Sequence, residues 1–272
     1  MNPNKIADCI IGITGELKEE LNDLFLKDTD LAEELKIGGD LETTTYIDGF
    51  AEDFVIRKIT SKFKCTIMSE ESGFIESGDI NLLFVIDPID GTNNAKIKLP
   101  FFSCSIGVYD NDEPVAGIVR DLYSGDVFTG IKGEGAFLNG RVIKVKRFKN
   151  LSDTIVTSGR PLCKEDTNLY EKINFSTKSN RIFGCPSLEI CYVASGKTNW
   201  ALQLHKQPRA SMMDVAGAGI ILKEARGMLI EPSGSYIHLV KNVKAKFNFI
   251  ACPDDDKSRN KILKLIKKFN IK

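Results

Sequence analysis

The sequence feature that most limits the fold is a continuous apolar run at residues 82–86 that stops at two carboxylates. The chain continues as Asp87-Pro88-Ile89-Asp90-Gly91-Thr92. A short, wholly apolar run that ends in a turn is typical of a strand buried on both faces of a sheet. Pro88 stiffens this turn, and Gly91 lets a ligand approach the backbone. Because α/β proteins bind ligands where such strands end, we expect a site at Asp87 and Asp90.

Two carboxylates beside a possible phosphate-binding turn indicate a metal ion. The residues after Gly91 can begin a helix, whose amide groups and dipole favour phosphate. Carboxylates and phosphate repel each other, so a cation has to lie between them. Oxygen ligands without His or Cys are the set that Mg²⁺ or Mn²⁺ prefers. The alternative is an ordinary turn, because Asp, Pro, Gly and Asn all form turns.

Other acidic residues follow predicted elements in a similar way. Glu70 and Glu71 come after a short strand at residues 65–68, and Asp214 opens a helix that stops at Gly227. Taken alone, an acidic pair in a loop is usually solvated, and an Asp at a helix start usually caps the helix. Spacing alone does not bring these positions together with residue 90, so a shared site stays open at this point.

Hydrophobic periodicity divides the chain into helices and strands. We predict helices over residues 6–24, 47–59, 165–175, 188–194 and from 214, and a basic amphipathic helix at the end. We predict strands over 65–68, 82–86, 103–109, 115–119, 126–130, 155–157, 200–204 and 249–251, and a hairpin that turns at Asn139-Gly140. The polar segment 36–45 predicts a mobile loop. The pattern changes near residue 150, which indicates one α+β or α/β unit, 1–272, with halves 1–150 and 151–272.

Composition argues against several classes of protein. The 37 basic and 37 acidic side chains give zero net charge, which argues against a general nucleic-acid or anionic-membrane binder. No apolar run approaches the roughly 18–20 residues that span a bilayer. The first residues predict an amphipathic helix rather than a signal peptide, so we expect a cytoplasmic location. Seven scattered cysteines without a CxxC pair predict reduced thiols, and two histidines exclude a histidine-rich metal site.

Several segments, in the right order, resemble motifs of the inositol monophosphatase superfamily. Residues 68–72 resemble its (G)EES element, the segment from Asp87 its DPxDGTxN motif, residues 133–140 its GxGAFxNG hairpin, residues 213–219 with 224–227 its WDxAAG…EAGG element, and Asp48 its T-x-x-D aspartate. The resemblance covers nearly the whole chain. It is closest to archaeal and bacterial enzymes that act on inositol monophosphates and fructose 1,6-bisphosphate.

The resemblance implies an α+β fold, a layered αβαβα sandwich of the inositol monophosphatase and fructose-1,6-bisphosphatase type. It implies a phosphoric monoester hydrolase in which metal-activated water attacks phosphorus directly. The cofactor would be two or three Mg²⁺ ions, with Mn²⁺ possible, and the partner a small-molecule phosphate ester. A homodimer is expected on the same basis.

The resemblance also implies roles for individual residues. Glu70, Asp87 and the carbonyl of Ile89 would bind a first metal, Asp87, Asp90 and Asp214 a second, and Glu70 a third through water. The amides of Gly91 and Thr92 would hold the phosphate, and Thr92, hydrogen-bonded to Asp48, would orient the attacking water. The substrate contacts would come from Asp90, Ser158, Ser187, Gln203, Arg209 and Asp214.

Departures from the family pattern concern the substrate. Met213 stands where the family has tryptophan, Arg226 precedes the second glycine of its EAGG element, and extra residues at 205–209 include Lys206 and Arg209. These basic residues are expected to bring positive charge near the site.

Three other functions remain as alternatives. A haloacid dehalogenase phosphatase carries DxDGT, but here two residues separate Asp87 and Asp90. An inactive relative that only binds metal or sugar phosphate would not need every acidic position. Within the superfamily, a phosphatase of 3′-phosphoadenosine 5′-phosphate or NADP is the second candidate.

Overall fold

The computed structural model describes residues 2–27, 30–37, 43–78 and 81–267. The helices are α1 (Pro3–Phe25), α2 (Tyr46–Thr60), α3 (Thr92–Lys96), α4 (Lys164–Ser176), α5 (Pro186–Ala194), α6 (Met212–Glu224) and α7 (Asp256–Ile266). The strands are β1 (Glu34–Ile37), β2 (Thr43–Thr45), β3 (Thr66–Ser69), β4 (Gly73–Glu76), β5 (Leu82–Asp90), β6 (Ser103–Asp110), β7 (Glu113–Asp121), β8 (Val127–Ile131), β9 (Gly135–Leu138), β10 (Arg141–Ile143), β11 (Ile155–Ser158), β12 (Ser179–Arg181), β13 (Trp200–Gln203), β14 (Gly227–Ile230) and β15 (Phe249–Pro253). Within these described ranges no helix is both long and apolar enough to cross a bilayer.

The described strands build two layers between three layers of helices. The larger sheet has the order β10-β9-β8-β7-β6-β5-β3-β4, the smaller one β12-β11-β13-β15-β14, and β1 pairs with β2. Helices α1 and α2 pack on one face of the larger sheet, α5 and α6 lie between the two sheets, and α4 and α7 cover the far face of the smaller sheet. The α+β class and the αβαβα sandwich that the resemblance implied are confirmed.

Strand β5 lies inside the larger sheet, between β3 and β6. Phe84 and Ile86 pack in the core beneath α1 and α2, whereas Leu83 and Val85 pack in the core beneath α5 and α6. All nine residues of the strand are buried. Successive side chains of a strand point to opposite faces, so a strand with a core on each side needs the continuous apolar run that the sequence carries.

Helix α6 approaches the larger sheet to within backbone contact. Gly107, Gly117 and Gly130 are register partners on β6, β7 and β8 and form a row across the sheet. A Cβ atom on Gly117 would lie 2.3 Å from the carbonyl oxygen of Gly217, and one on Gly130 would lie 2.6 Å from Cα of Ile221. Side chains at this row would therefore force the helix away from the sheet.

The elements that the sequence pattern missed are mainly short strands at sheet edges. Strands β4, β12 and β14 end the described sheets and are three or four residues long, too short to show a period of two. The loop predicted at residues 36–45 was wrong in part, since its ends belong to β1 and β2, which pair antiparallel. Residues 38–42 lie outside the described residues.

Replacing Gly117 with alanine should destabilise the protein, because the new Cβ atom would overlap the backbone of α6. We expect a loss of roughly 1–3 kcal/mol in the free energy of unfolding, as for other overpacked sites. Gly12→Ala is the matched control, since nothing lies within 4 Å of a Cβ atom there. Urea unfolding of both variants measures the effect. A Gly117→Ala protein as stable as the wild type would show that α6 does not rest on this row.

Candidate active site

A β-bulge at the end of β5 turns two aspartates toward the same place. Asp87 pairs with Ser105 and Asp90 with Ser103, so three steps along β5 match two along β6. Residues three apart on a regular strand point to opposite faces, and the extra residue of a bulge lets both point the same way. Asp87 and Asp90 are only 2% and 3% exposed. The strand continues beyond the end predicted at residue 86, because pairing with β6 goes on after the apolar run stops.

Helix α6 brings a third carboxylate to these two. Ser211 caps the helix, and its amide and hydroxyl donate to Oδ2 of Asp214 at 2.6 and 2.8 Å. Asp214 is therefore the third residue of the helix, whereas the sequence pattern placed it at the start. One carboxylate oxygen from each of Asp87, Asp90 and Asp214 lies within 4.8 Å of the others. Of the positions that spacing alone left open, Asp214 is thus grouped with Asp87 and Asp90.

Helix α2 presents Asp48 through the same capping arrangement. The amide and hydroxyl of Thr45 donate to Oδ2 of Asp48 at 3.2 and 2.5 Å. The hydroxyl of Thr92 lies 2.8 Å from Oδ1 of Asp48, as the resemblance implied. The same hydroxyl lies 3.1 Å from the carbonyl oxygen of Ile89. A hydroxyl has one proton and can donate it to one of these two acceptors at a time. If another group bound the carbonyl oxygen of Ile89, the Thr92 hydroxyl would donate to Asp48.

A cleft of about 310 Å³ lies beside these residues. The residues expected at the site that line it are Asp48, Glu70, Asp90, Gly91, Thr92, Gln203, Arg209 and Asp214. Among the described helices, α2, α3, α5 and α6 all begin at this cleft, with residues of their first turns in its wall. Helix N-termini carry partial positive charge, so the backbone itself favours anions here.

Ser187 and Ser158 lie outside the residues that line the cleft, and their substrate contacts stay predictions. The amide of Ser187 donates to Oδ2 of Asp90 at 2.6 Å, and its hydroxyl lies 2.6 Å from that of Ser103. Ser158 is fully buried at the end of β11 and donates to Asn180 at 3.0 Å. Ser187 therefore supports a carboxylate of the cleft, and Ser158 supports the smaller sheet.

The carboxylates shift one another's protonation. Burial, followed by the charge of Glu70, raises the pKa of Asp87 well above its usual range. Burial, followed by the charge of Asp214, raises the pKa of Asp90 to about 7, although the hydrogen bonds from Ser187 oppose this. A cation would relieve the repulsion. The donor atoms are all oxygens, which fits a hard divalent ion such as Mg²⁺.

Cationic side chains reach the same cleft. Lys96 at the end of α3, Arg209 and Lys246 all line it. Lys206, which was expected to bring charge to the site, instead pairs with Glu165 at 2.6 Å on the surface. Sequence analysis missed Lys246, because no motif surrounds it. It reaches the cleft because the amide of the next residue, Phe247, donates to the carbonyl of Ala210 at 2.8 Å.

Residues 133–140 and 224–227, which resemble two of the family's motifs, do not line the cleft and instead support the fold. Oε2 of Glu224, at the end of α6, accepts hydrogen bonds from the amides of Gly133 and Gly135 at 3.1 and 3.3 Å. The hairpin that follows turns at Asn139 and Gly140, which both have positive φ. These segments therefore fix the far end of α6 against the larger sheet.

Comparison with known proteins identifies the family and agrees with the fold. Residues 4–268 match the model of the Inositol monophosphatase family. A fructose-1,6-bisphosphatase/inositol-1-monophosphatase of Methanocaldococcus jannaschii is 35% identical over 209 residues, which is 77% of this chain and 79% of that protein. A bifunctional NADP phosphatase/NAD kinase of the same organism is 31% identical over 253 residues, 80% of this chain and 43% of that protein. A crystal structure of an inositol monophosphatase-fructose 1,6 bisphosphatase superposes with a TM-score of 0.83 at 28% identity, covering 95% of this chain and 98% of that one.

Without metal, stability should fall as pH rises through neutrality. An aspartate of an unfolded chain titrates at about pH 4, whereas Asp90 titrates near 7 in the fold. Between these values the folded state binds more protons than the unfolded state, so the free energy of unfolding decreases with pH. We expect the decrease in EDTA between about pH 5 and pH 8 to be on the order of a few kcal/mol. Urea unfolding across this range measures it.

Excess Mg²⁺ should remove most of this decline, because the cation favours the ionised carboxylates. In EDTA, the free energy of unfolding of Asp90→Asn should depend less on pH than that of the wild type. Stability in EDTA that rises between pH 5 and 8 would show that the carboxylates are not the dominant titrating groups.

Proposed function

This chain belongs to the inositol monophosphatase family, and we propose that it is a Mg²⁺-dependent phosphatase of small phosphorylated sugars or polyols. Hydrolysis of a phosphoric monoester follows from family membership. The metal, the site residues and the substrate are the proposed part. The observation that carries the proposal is the group of three aspartate oxygens within 4.8 Å of one another, beside the Thr92–Asp48 hydrogen bond.

The metal ligands that we propose are oxygen atoms throughout. They are the carboxylates of Glu70, Asp87, Asp90 and Asp214 and the carbonyl of Ile89. Mg²⁺ bound there would neutralise phosphate charge and lower the pKa of water. Two or three ions fit the number of carboxylates, and Mn²⁺ offers similar chemistry.

The chain's own groups position the reactants. The amides of Gly91 and Thr92, at the start of α3, would hold the phosphate oxygens. The Thr92 hydroxyl, polarised by Asp48 at 2.8 Å, would orient the attacking water and take part in removing its proton. Direct attack by water needs no covalent intermediate on Asp87 or Asp90, because both carboxylates serve as ligands.

The cationic side of the cleft favours a substrate with a second phosphate. Arg209 and Lys246 line the cleft together with Gln203. Arginine binds a phosphate through two parallel hydrogen bonds, and an amide side chain can bind a sugar hydroxyl. Fructose 1,6-bisphosphate carries both groups, whereas inositol 1-phosphate lacks the second phosphate.

A nucleotide substrate is the second candidate. The similarity to a relative named as a bifunctional NADP phosphatase/NAD kinase supports NADP as a candidate substrate. The same cations would contact the further phosphates of NADP or of 3′-phosphoadenosine 5′-phosphate. A homodimer, expected from the family resemblance, also remains a proposal and can be measured by light scattering.

A phosphate-release screen tests the proposed function. Its substrates are inositol 1-phosphate, fructose 1,6-bisphosphate, 3′-phosphoadenosine 5′-phosphate and NADP. Activity should require Mg²⁺ or Mn²⁺ and disappear in excess EDTA, because the ligands are carboxylates. Asp87→Asn should abolish turnover while its metal-free form stays folded, because it removes one of several repelling charges. Full activity in EDTA, with Mg²⁺ shown to be absent, would refute the metal role.

Replacing Thr92 with alanine should lower kcat by roughly 10²–10⁴-fold, the usual size of a general-base contribution. Its hydroxyl is the group that Asp48 polarises. Metal affinity, measured by calorimetry, should change little. Thr92→Ser keeps the hydroxyl and should retain most of the activity. Trapping of a phosphorylated aspartate would instead support the dehalogenase mechanism.

Replacing Arg209 with alanine should raise KM for fructose 1,6-bisphosphate more than for inositol 1-phosphate. One charged contact is worth roughly 1–3 kcal/mol, so the ratio of the two kcat/KM values should change by about five- to a hundredfold. Lys246→Ala should act in the same direction. Lys206→Ala is the control, because Lys206 pairs with Glu165 outside the cleft. Equal losses for both substrates would assign Arg209 a general electrostatic role.

A further inference from the structure

Helix α2 carries a second buried carboxylate, one turn after Asp48. Glu52 is 1% exposed, and its partners are neutral donors. Oε1 accepts hydrogen bonds from the hydroxyl of Ser69 and from the amides of Glu71 and Ser72, the latter two at 3.2 and 3.0 Å. Oε2 accepts from the hydroxyl of Ser72 at 2.5 Å. Both oxygens of the Glu52 side chain are thus engaged by one short stretch of chain.

That stretch runs from the end of β3 into the turn before β4, and Glu70 lies within it. Contacts on either side of Glu70 fix the backbone, while the side chain of Glu70 lies in the wall of the cleft. Asp90 and Asp214 lie in the same wall. Glu70 is therefore held at the cleft that contains these aspartates.

We propose that Glu52 is a positioning residue that holds Glu70 in place as a metal ligand. The proposal deepens the function proposed above and rests on the metal role of Glu70. Groups that orient a ligand through hydrogen bonds set metal affinity nearly as strongly as the ligand itself. Since Asp48 lies on the same helix, α2 places both the carboxylate that polarises Thr92 and the turn that presents Glu70.

A role confined to stability would give Glu52 a different signature. A buried carboxylate that only closes a turn would lower the free energy of unfolding when replaced, but it would leave metal affinity unchanged. The deciding measurement is therefore the Kd for Mg²⁺, obtained by calorimetry on the full chain without substrate. The melting temperature and the Mg²⁺ dependence of phosphate release are measured on the same proteins.

Glu52→Gln should raise the Kd for Mg²⁺ by roughly 10- to 100-fold. Its kcat at saturating Mg²⁺ should fall by a smaller factor than its affinity for Mg²⁺, because Glu52 acts only through the position of Glu70. Ser72→Ala removes the bond to Oε2 and should shift Kd in the same direction by less. If Glu52→Gln does not fold, Ser72→Ala decides the question.

Glu70→Gln and the double variant separate this inference from the proposed function. If Glu52 acts through Glu70, the double variant should bind Mg²⁺ no more weakly than Glu70→Gln. An unchanged Kd in Glu70→Gln would overturn the metal role of Glu70 and, with it, this inference. A shifted Kd in Glu70→Gln but not in Glu52→Gln and Ser72→Ala, or fully additive losses, would overturn the positioning role alone.

Asp166→Asn provides a matched control. Asp166 is a buried carboxylate that accepts from the amides of Leu162 and Lys206 at 3.1 and 2.9 Å, and it lies outside the cleft wall. The Asp166→Asn variant should be less stable than the wild type, with an unchanged Kd for Mg²⁺. A comparable Kd shift in this control would show that the Glu52 effect is a general consequence of destabilisation, which would also overturn the proposal.

Discussion

Repulsion among carboxylates at one cleft is the interaction that the surrounding structure has to withstand. Asp87 and Asp90 are almost completely buried, and Glu70 and Asp214 lie close enough for their charges to raise the pKa of Asp87. Burial of charge without a partner is costly, and the raised pKa values express that cost. The cluster could hold a cation, and the protein fold has to keep the carboxylates together without one.

The fold meets this demand mainly with backbone geometry. Asp48 and Asp214 each occupy the third position of a helix and accept from the capping residue. Asp90 accepts from an amide at the start of α5. The row of glycines under α6 sets the distance between that helix and the end of β5. Neutral donors and helix N-termini stabilise the charges without filling the space in which a metal ion would be held.

The sequence predicted those parts of the fold and site that are local. Strand β5 could be identified because its two buried faces need an unbroken apolar run, and its acidic end could be identified because the motif is contiguous. The resemblance supplied the grouping with Asp214. Glu52 and Lys246 were missed for a common reason: each is brought to the site by contacts between residues distant in sequence. The resemblance named Ser187 as a substrate contact, but it did not predict that the amide of Ser187 donates to Asp90.

The glycine row has an evolutionary consequence. The proposed metal ligands belong to β5, to the start of α6 and to the turn after β3. Gln203 and Arg209 lie at or after the end of β13, before α6, and Lys246 lies between β14 and β15. On the proposed function, substitutions at these three positions would change what the cleft recognises without changing how α6 rests on the sheet. Selection could then exchange one phosphate ester for another through a few side chains on connecting segments, while the hydrolytic centre is inherited intact.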